Sequence, residues 1–118
     1  MNQQKIEVIN CDLCVVGMGV AGLNALSSAS QYLKANSKVV VVDRMTSNTA
    51  VGGMWNNVYG FVRLHQPHPL FTVGSKKWKL KENPGYLADK NQIVKHFRDC
   101  YESLKEKVSI IEKFGYCY

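Results

Sequence analysis

The chain has 118 residues, 46% hydrophobic and 20% charged, which is enough for one domain with one core and too apolar for a disordered segment. Three prolines and nine glycines exclude collagen-like and low-complexity chains, and no apolar run approaches the roughly 18 residues of a membrane span. The net charge of +6 is diffuse. It is dense only at Lys76, Lys77, Lys79 and Lys81, where a solvated loop is a simpler account than a nucleic-acid site, although Trp78 lies inside the patch.

The opening residues lack the apolar region of a signal peptide, so a cytoplasmic chain with reduced thiols is expected. Ile6 to Val16 reads as a strand whose end, Leu13-Cys14-Val15-Val16, is apolar toward both faces, as in a covered parallel strand. Cys11 and Cys14 have C-x-x-C spacing. Residues three apart on a strand face opposite ways, so they cannot clamp one zinc ion, and core packing is expected for both. A helix runs from the following glycines to about Lys34, with Gly22, Ala25, Leu26, Ala29 and Leu33 on one face. Lys38 to Val42 is a second buried strand, closed by Asp43.

From Arg44 to Leu87 there is no sustained periodicity, only glycines, prolines and the aromatics Trp55, Tyr59, Phe61, Phe71 and Trp78. The aromatics argue for a packed loop, with short strands possible at 58–64 and 70–73. Asp89 and Gln92 form a capping-box pattern at the start of a second helix. Its apolar face is Ile93, Phe97, Cys100, Tyr101, Leu104 and Val108. Val108 to Ile111 reads as a third strand, and Phe114 to Tyr118 as the start of another. His65, His68 and His96 lack ligand-spaced partners and are expected to be structural, so no metal site is expected. The order β-α-β, long loop, α-β implies an α/β fold: a Rossmann-like, parallel, three-layer sheet.

Gly17-x-Gly19-x-x-Gly22 follows a buried strand and opens a helix, and Asp43 ends the next strand 21 positions after Gly22. In that context the pattern is a dinucleotide-binding fingerprint. Gly17 permits the turn, Gly19 leaves room for a pyrophosphate, and Gly22 lets helix and strand approach. The amides of Val20 and Ala21 lie at the positive end of the helix dipole. Asp43 would accept hydrogen bonds from a ribose and repel the 2′-phosphate of NADP, with Arg44 beside it partly offsetting that repulsion. The fingerprint alone fits FAD or a nicotinamide dinucleotide.

Gly52-Gly53-Met54-Trp55, about ten residues after the acid, resembles the flavin-containing and Baeyer–Villiger monooxygenases. Tyr59-Gly60-Phe61-Val62-Arg63-Leu64 is similar to that family's Tyr-Pro-Gly-x-Arg segment, with Gly60 in place of the proline. His65-Gln66-Pro67, His68-Pro69-Leu70-Phe71 and Pro84-Gly85-Tyr86-Leu87 continue the likeness, which in order and spacing covers nearly all of residues 10–112. His65 stands where many Baeyer–Villiger members carry Asp. The resemblance implies FAD held by the glycine fingerprint and Asp43, with Gly53, Met54, Trp55, His65 and Gln66 bordering it. For Trp55 a loop anchor is an equal reading.

It also implies NADPH as reductant, bound by a second dinucleotide fold that this sequence does not supply, and a small-molecule substrate. Residues 1–118 are therefore expected to be one partial FAD- or NAD(P)-binding domain with a long loop at about 44–88, apparently truncated. No catalytic residue is assigned. Two helices cannot cover both faces of such a sheet, so self-association or a completing chain is expected, with no turnover by this chain alone. The other readings are a segment of another pyridine-nucleotide flavoprotein reductase, an NAD-dependent dehydrogenase, or a non-catalytic nucleotide-binding module.

Overall fold

A computed structural model describes residues 6–47 and 49–118. Three parallel strands, β1 (Leu13–Val16), β2 (Val39–Asp43) and β3 (Ile110–Phe114), form one sheet in the order β1-β2-β3. Helix α1 (Val20–Ser30) joins β1 to β2, and α2 (Lys90–Lys107) leads into β3. Leu13, Val39 and Ile110 lie in line across the sheet, as do Cys14, Val40 and Ile111. Both crossovers step in the same direction, so their right-handedness puts both helices on one face. Val15, Val39 and Val41 pack there against Leu23, Leu26, Ile93, Phe97, Cys100 and Leu104.

The fold is thus α/β with a Rossmann-like parallel sheet, both helices lying on one face. On the face away from the helices Cys14 and Val16 are exposed, Val16 by 56%. The expected core packing of Cys11 and Cys14 does not hold. Cys11 precedes the strand and Cys14 faces the open side, so both thiols are exposed. Desolvation and the neighbouring Cys11 push the Cys14 thiol up, which is the wrong direction for a reactive thiolate.

Element ends also moved. β1 starts at Leu13 because β2 begins opposite it, leaving residues 6–12 without a paired strand beyond the Asp12 and Leu13 N–H groups donating to the Lys38 carbonyl. α1 stops at Ser30, and its buried residues are Leu23 and Leu26, while Ala25 is exposed. β3 lies two to three residues later than expected. It ends in a turn at Gly115, whose φ of 83° is left-handed, and no strand follows among residues 115–118. The capping box of α2 is complete: Gln92 N–H donates to Asp89 Oδ1 and Asp89 N–H to Gln92 Oε1, each at 2.9 Å.

Among its described residues the long loop contains no strand. It has two 3-10 turns, Gly53–Asn56 and His68–Leu70, and one isolated bridge between Arg63 and Asp89. Aromatic contacts with α2 order it instead. The Trp78 ring stacks on His96 at 4.0 Å, His68 meets Trp78 edge-on, and the Trp78 indole N–H donates to the Phe71 carbonyl. The Trp78 ring is thereby held against α2, while Lys76 donates to Ser103 Oγ and Lys79 lies 4.0 Å from Asp99. Among the described residues no helix is long and apolar enough to cross a membrane.

His96 is buried in this cluster. The Thr72 hydroxyl donates to the Lys76 carbonyl, so at 2.7 Å its oxygen accepts from His96 Nε2–H, which fixes the neutral tautomer. Burial pushes the His96 pKa from 6.5 down to about 4; Asp99 opposes this, while Lys76, His68 and Lys95 add to it. Between those two values the unfolded chain binds the proton and the folded chain does not. Stability present above the unfolded value is therefore lost as pH falls toward about 4, by roughly 2–3 kcal/mol. Thermal melts at neutral pH and near the lower value should show this loss in the parent and a much smaller one in His96→Phe. Equal acid sensitivity would refute the assignment.

Candidate functional site

The site is built at the carboxyl ends of the strands, where open parallel sheets place their crevices. The chain leaves β1 through Gly17, whose φ of 94° is open to glycine at little cost and whose N–H donates to the Val42 carbonyl at 2.7 Å. Met18 is fully buried and pins the turn to the core. Gly19 is the N-cap of α1, with no side-chain cap and no acidic residue in the first turn. The N–H groups of the first turn, those of Val20, Ala21 and Gly22, have no partners within the helix. Leu23 N–H returns to the Gly19 carbonyl at 3.0 Å. A Cβ on Gly22 would run into the Gly17 carbonyl, 2.9 Å from its carbon, so helix and turn can meet this closely only at glycine.

Asp43, at the end of β2, accepts Met18 N–H on Oδ2 and Met45 N–H on Oδ1, each at 2.8 Å. The carboxylate therefore ties the glycine turn to the chain after β2. Each oxygen keeps lone-pair capacity for a further donor. The sequence pattern marks Asp43 as a ribose acceptor and carries no sign of this structural duty.

A second loop closes on the turn. Gly52 N–H donates to the Met18 carbonyl at 3.0 Å, and a Cβ on Gly53 would lie 2.8 Å from Gly19 Cα. Gly19 itself has room: a Cβ there would meet only Gly53 Cα, at 3.7 Å. Beside the turn lies an open groove of about 410 Å³ lined by Val16, Gly17, Val42, Asp43, Arg44, Tyr116, Cys117 and Tyr118.

The structure thus brings Gly17, Gly19, Val20, Ala21, Gly22, Asp43, Arg44 and Gly53 together. Met54 follows Gly53 but is exposed. Trp55 packs edge-on against Phe71 at 5.9 Å, which in turn meets Phe97, so Trp55 anchors the loop to α2. His65 and Gln66 are exposed, beyond the Arg63–Asp89 bridge, and no described hydrogen bond or ring contact joins them to the glycine turn. Tyr116, Cys117 and Tyr118 were missed because an apolar run of aromatics reads as a strand. The signal was Gly115, which turns the chain so that Gly115 and Tyr116 N–H both reach the Asp43 carbonyl.

The donor set fits a dinucleotide: helix-start amides with no partner among the described residues, a side-chain-free cradle at Gly19, a carboxylate with spare acceptors and a groove flanked by tyrosines. No family model matches the sequence. Uncharacterised proteins of Mycobacterium tuberculosis and Mycobacterium bovis are 32% identical over 74 residues, which are 63% of this chain and 13% of theirs. Among solved structures, a flavin-containing monooxygenase from Stenotrophomonas maltophilia superposes with a TM-score of 0.66 at 14% identity. Bacillithiol disulfide reductase from Staphylococcus aureus does so with 0.65 at 12% identity. Each likeness covers 86% of this chain and 28% of the solved one. At such identity they show a shared α/β fold. The chain spans 13% of the length of these mycobacterial proteins and 28% of these solved chains.

Proposed function

We propose that this chain holds the ADP half of FAD and is the N-terminal FAD-binding portion of a flavin-dependent, NAD(P)H-using, monooxygenase-like oxidoreductase. The observation that carries the reading is the Gly17–Gly22 turn, held by Asp43 at the carboxyl end of the sheet, with the 410 Å³ groove beside it at Gly17, Asp43 and Arg44. The N–H groups of Gly19, Val20, Ala21 and Gly22 would face the pyrophosphate, and the spare acceptors of Asp43 the ribose. Tyr116 would flank the adenine. Gly53 would border the phosphates, while Met54, His65 and Gln66 would lie toward the flavin end. Bound flavin supplies the redox chemistry; this chain binds and orients its dinucleotide end. The NAD(P)H reductant and a small-molecule substrate belong to the longer protein that this reading implies. The equally similar disulfide reductase structure favours, as second reading, a segment of a flavoprotein reductase.

Gly19→Val tests the cradle. A Cβ at Gly19 has space in the fold, so the melting temperature should stay close to the parent's. The added methyls should occupy the phosphate position and weaken ADP and FAD binding about tenfold or more, the loss of at least one charge-assisted contact. Fluorescence titration measures both ligands. Unchanged affinity in a folded Gly19→Val chain would sink the assignment.

A further inference from the structure

Resting on the nucleotide-binding reading above, we propose that Asn56 is a positioning residue for the phosphate site, setting the direction of the Gly19 N–H without touching the ligand. Asn56 ends the 3-10 turn after Gly52-Gly53. Its side-chain amide donates to three carbonyls, those of Thr49 and Val51 at 3.0 Å and that of Gly53 at 3.1 Å. Two protons serve three acceptors, so the loop from Thr49 to Gly53 is drawn around one side-chain nitrogen. Gly52 and Gly53 take φ values of 105° and 56° to follow that curve, and a Cβ on Gly52 would lie 3.1 Å from the Asn56 amide.

The loop so held does two things to the glycine turn. It brings Gly53 backbone against Gly19, and it delivers Gly52 N–H to the Met18 carbonyl. Asp43 holds the N–H of Met18, so both polar groups of this residue are fixed from opposite sides. In a trans peptide the carbonyl oxygen and the next N–H point opposite ways. Anchoring the Met18 oxygen therefore aims the Gly19 N–H away from Gly52. Asn56 governs that aim through the Gly52 bond.

The test uses Asn56→Asp, which keeps the shape but turns a donor into an acceptor facing three carbonyls, and Asn56→Ala, which removes the group. Affinities for ADP and for adenosine, which lacks phosphates, are measured with the melting temperature and the amide exchange rate of Gly52. Both variants should melt cooperatively, lose about tenfold or more in ADP affinity and change by less than about twofold toward adenosine. Gly52 exchange should accelerate. Equal losses for both ligands, or no loss for ADP, would overturn the positioning role. A parent that binds no ADP would overturn the functional reading instead, and Gly52 exchange unchanged in Asn56→Asp would overturn the clamp whatever the ligand.

Discussion

Gly22→Ala is expected to destabilise the fold by about 3–5 kcal/mol, at the upper end of what one methyl group does. The new carbon would meet the Gly17 carbonyl, and that neighbour is backbone. Relief requires α1 to move off the turn, which disturbs Leu23 and Leu26, both fully buried beneath it. Gly17→Ala is the informative comparison. Its Cβ would meet nothing within 4 Å, so only the left-handed backbone opposes it, at about 1–2 kcal/mol. Denaturant unfolding should rank Gly22→Ala well below Gly17→Ala. If the two lose the same stability, close packing at Gly22 is not what the glycine is for.

Asp43→Ala should harm stability and binding together. It strands the N–H groups of Met18 and Met45, which the carboxylate accepts at 2.8 Å. Each is a charge-assisted bond, and their joint loss should cost roughly 2–4 kcal/mol after water reaches the exposed side. Asp43→Asn should recover little, because one of its two terminal atoms becomes a donor facing a donor. In both variants ADP affinity should fall about tenfold or more, since the turn loosens as the ribose acceptor is lost. In the parent, Asp43 should make NADP a poorer competitor than ADP despite Arg44 in the same groove. Stability of Asp43→Ala equal to the parent's would contradict the anchoring role, and equal competition by NADP would contradict the ribose role.

The parts of this molecule legible in its sequence are those where local chemistry decides. The glycine turn, Asp43 at a strand end and the Asp89–Gln92 capping box are short-range patterns with one geometry each. Central β2, β-branched and paired on both sides, was equally plain. The long loop was opaque because its order is tertiary: Trp78 finds His96, and Trp55 finds Phe71, through packing that no periodicity announces. β1 was read too long because apolar residues before Leu13 look like strand while having no partner strand opposite. The exposure of Val16 was hidden for a related reason, since an apolar residue reads as buried whether or not anything covers it. Asn56 was passed over as one polar residue in a loop, its weight visible only where three carbonyls converge on it.

The central claim is that a dinucleotide sits on the Gly17–Gly22 turn, and amide chemical-shift mapping with ADP tests it most directly. The account predicts the largest shifts at Gly17, Gly19, Val20, Ala21 and Gly22, with a second group at Arg44 and Tyr116 around the groove. Shifts centred instead on the separate lysine-lined groove of Lys76, Lys77 and Lys107 between the helix ends, with the glycine turn unmoved, would contradict it.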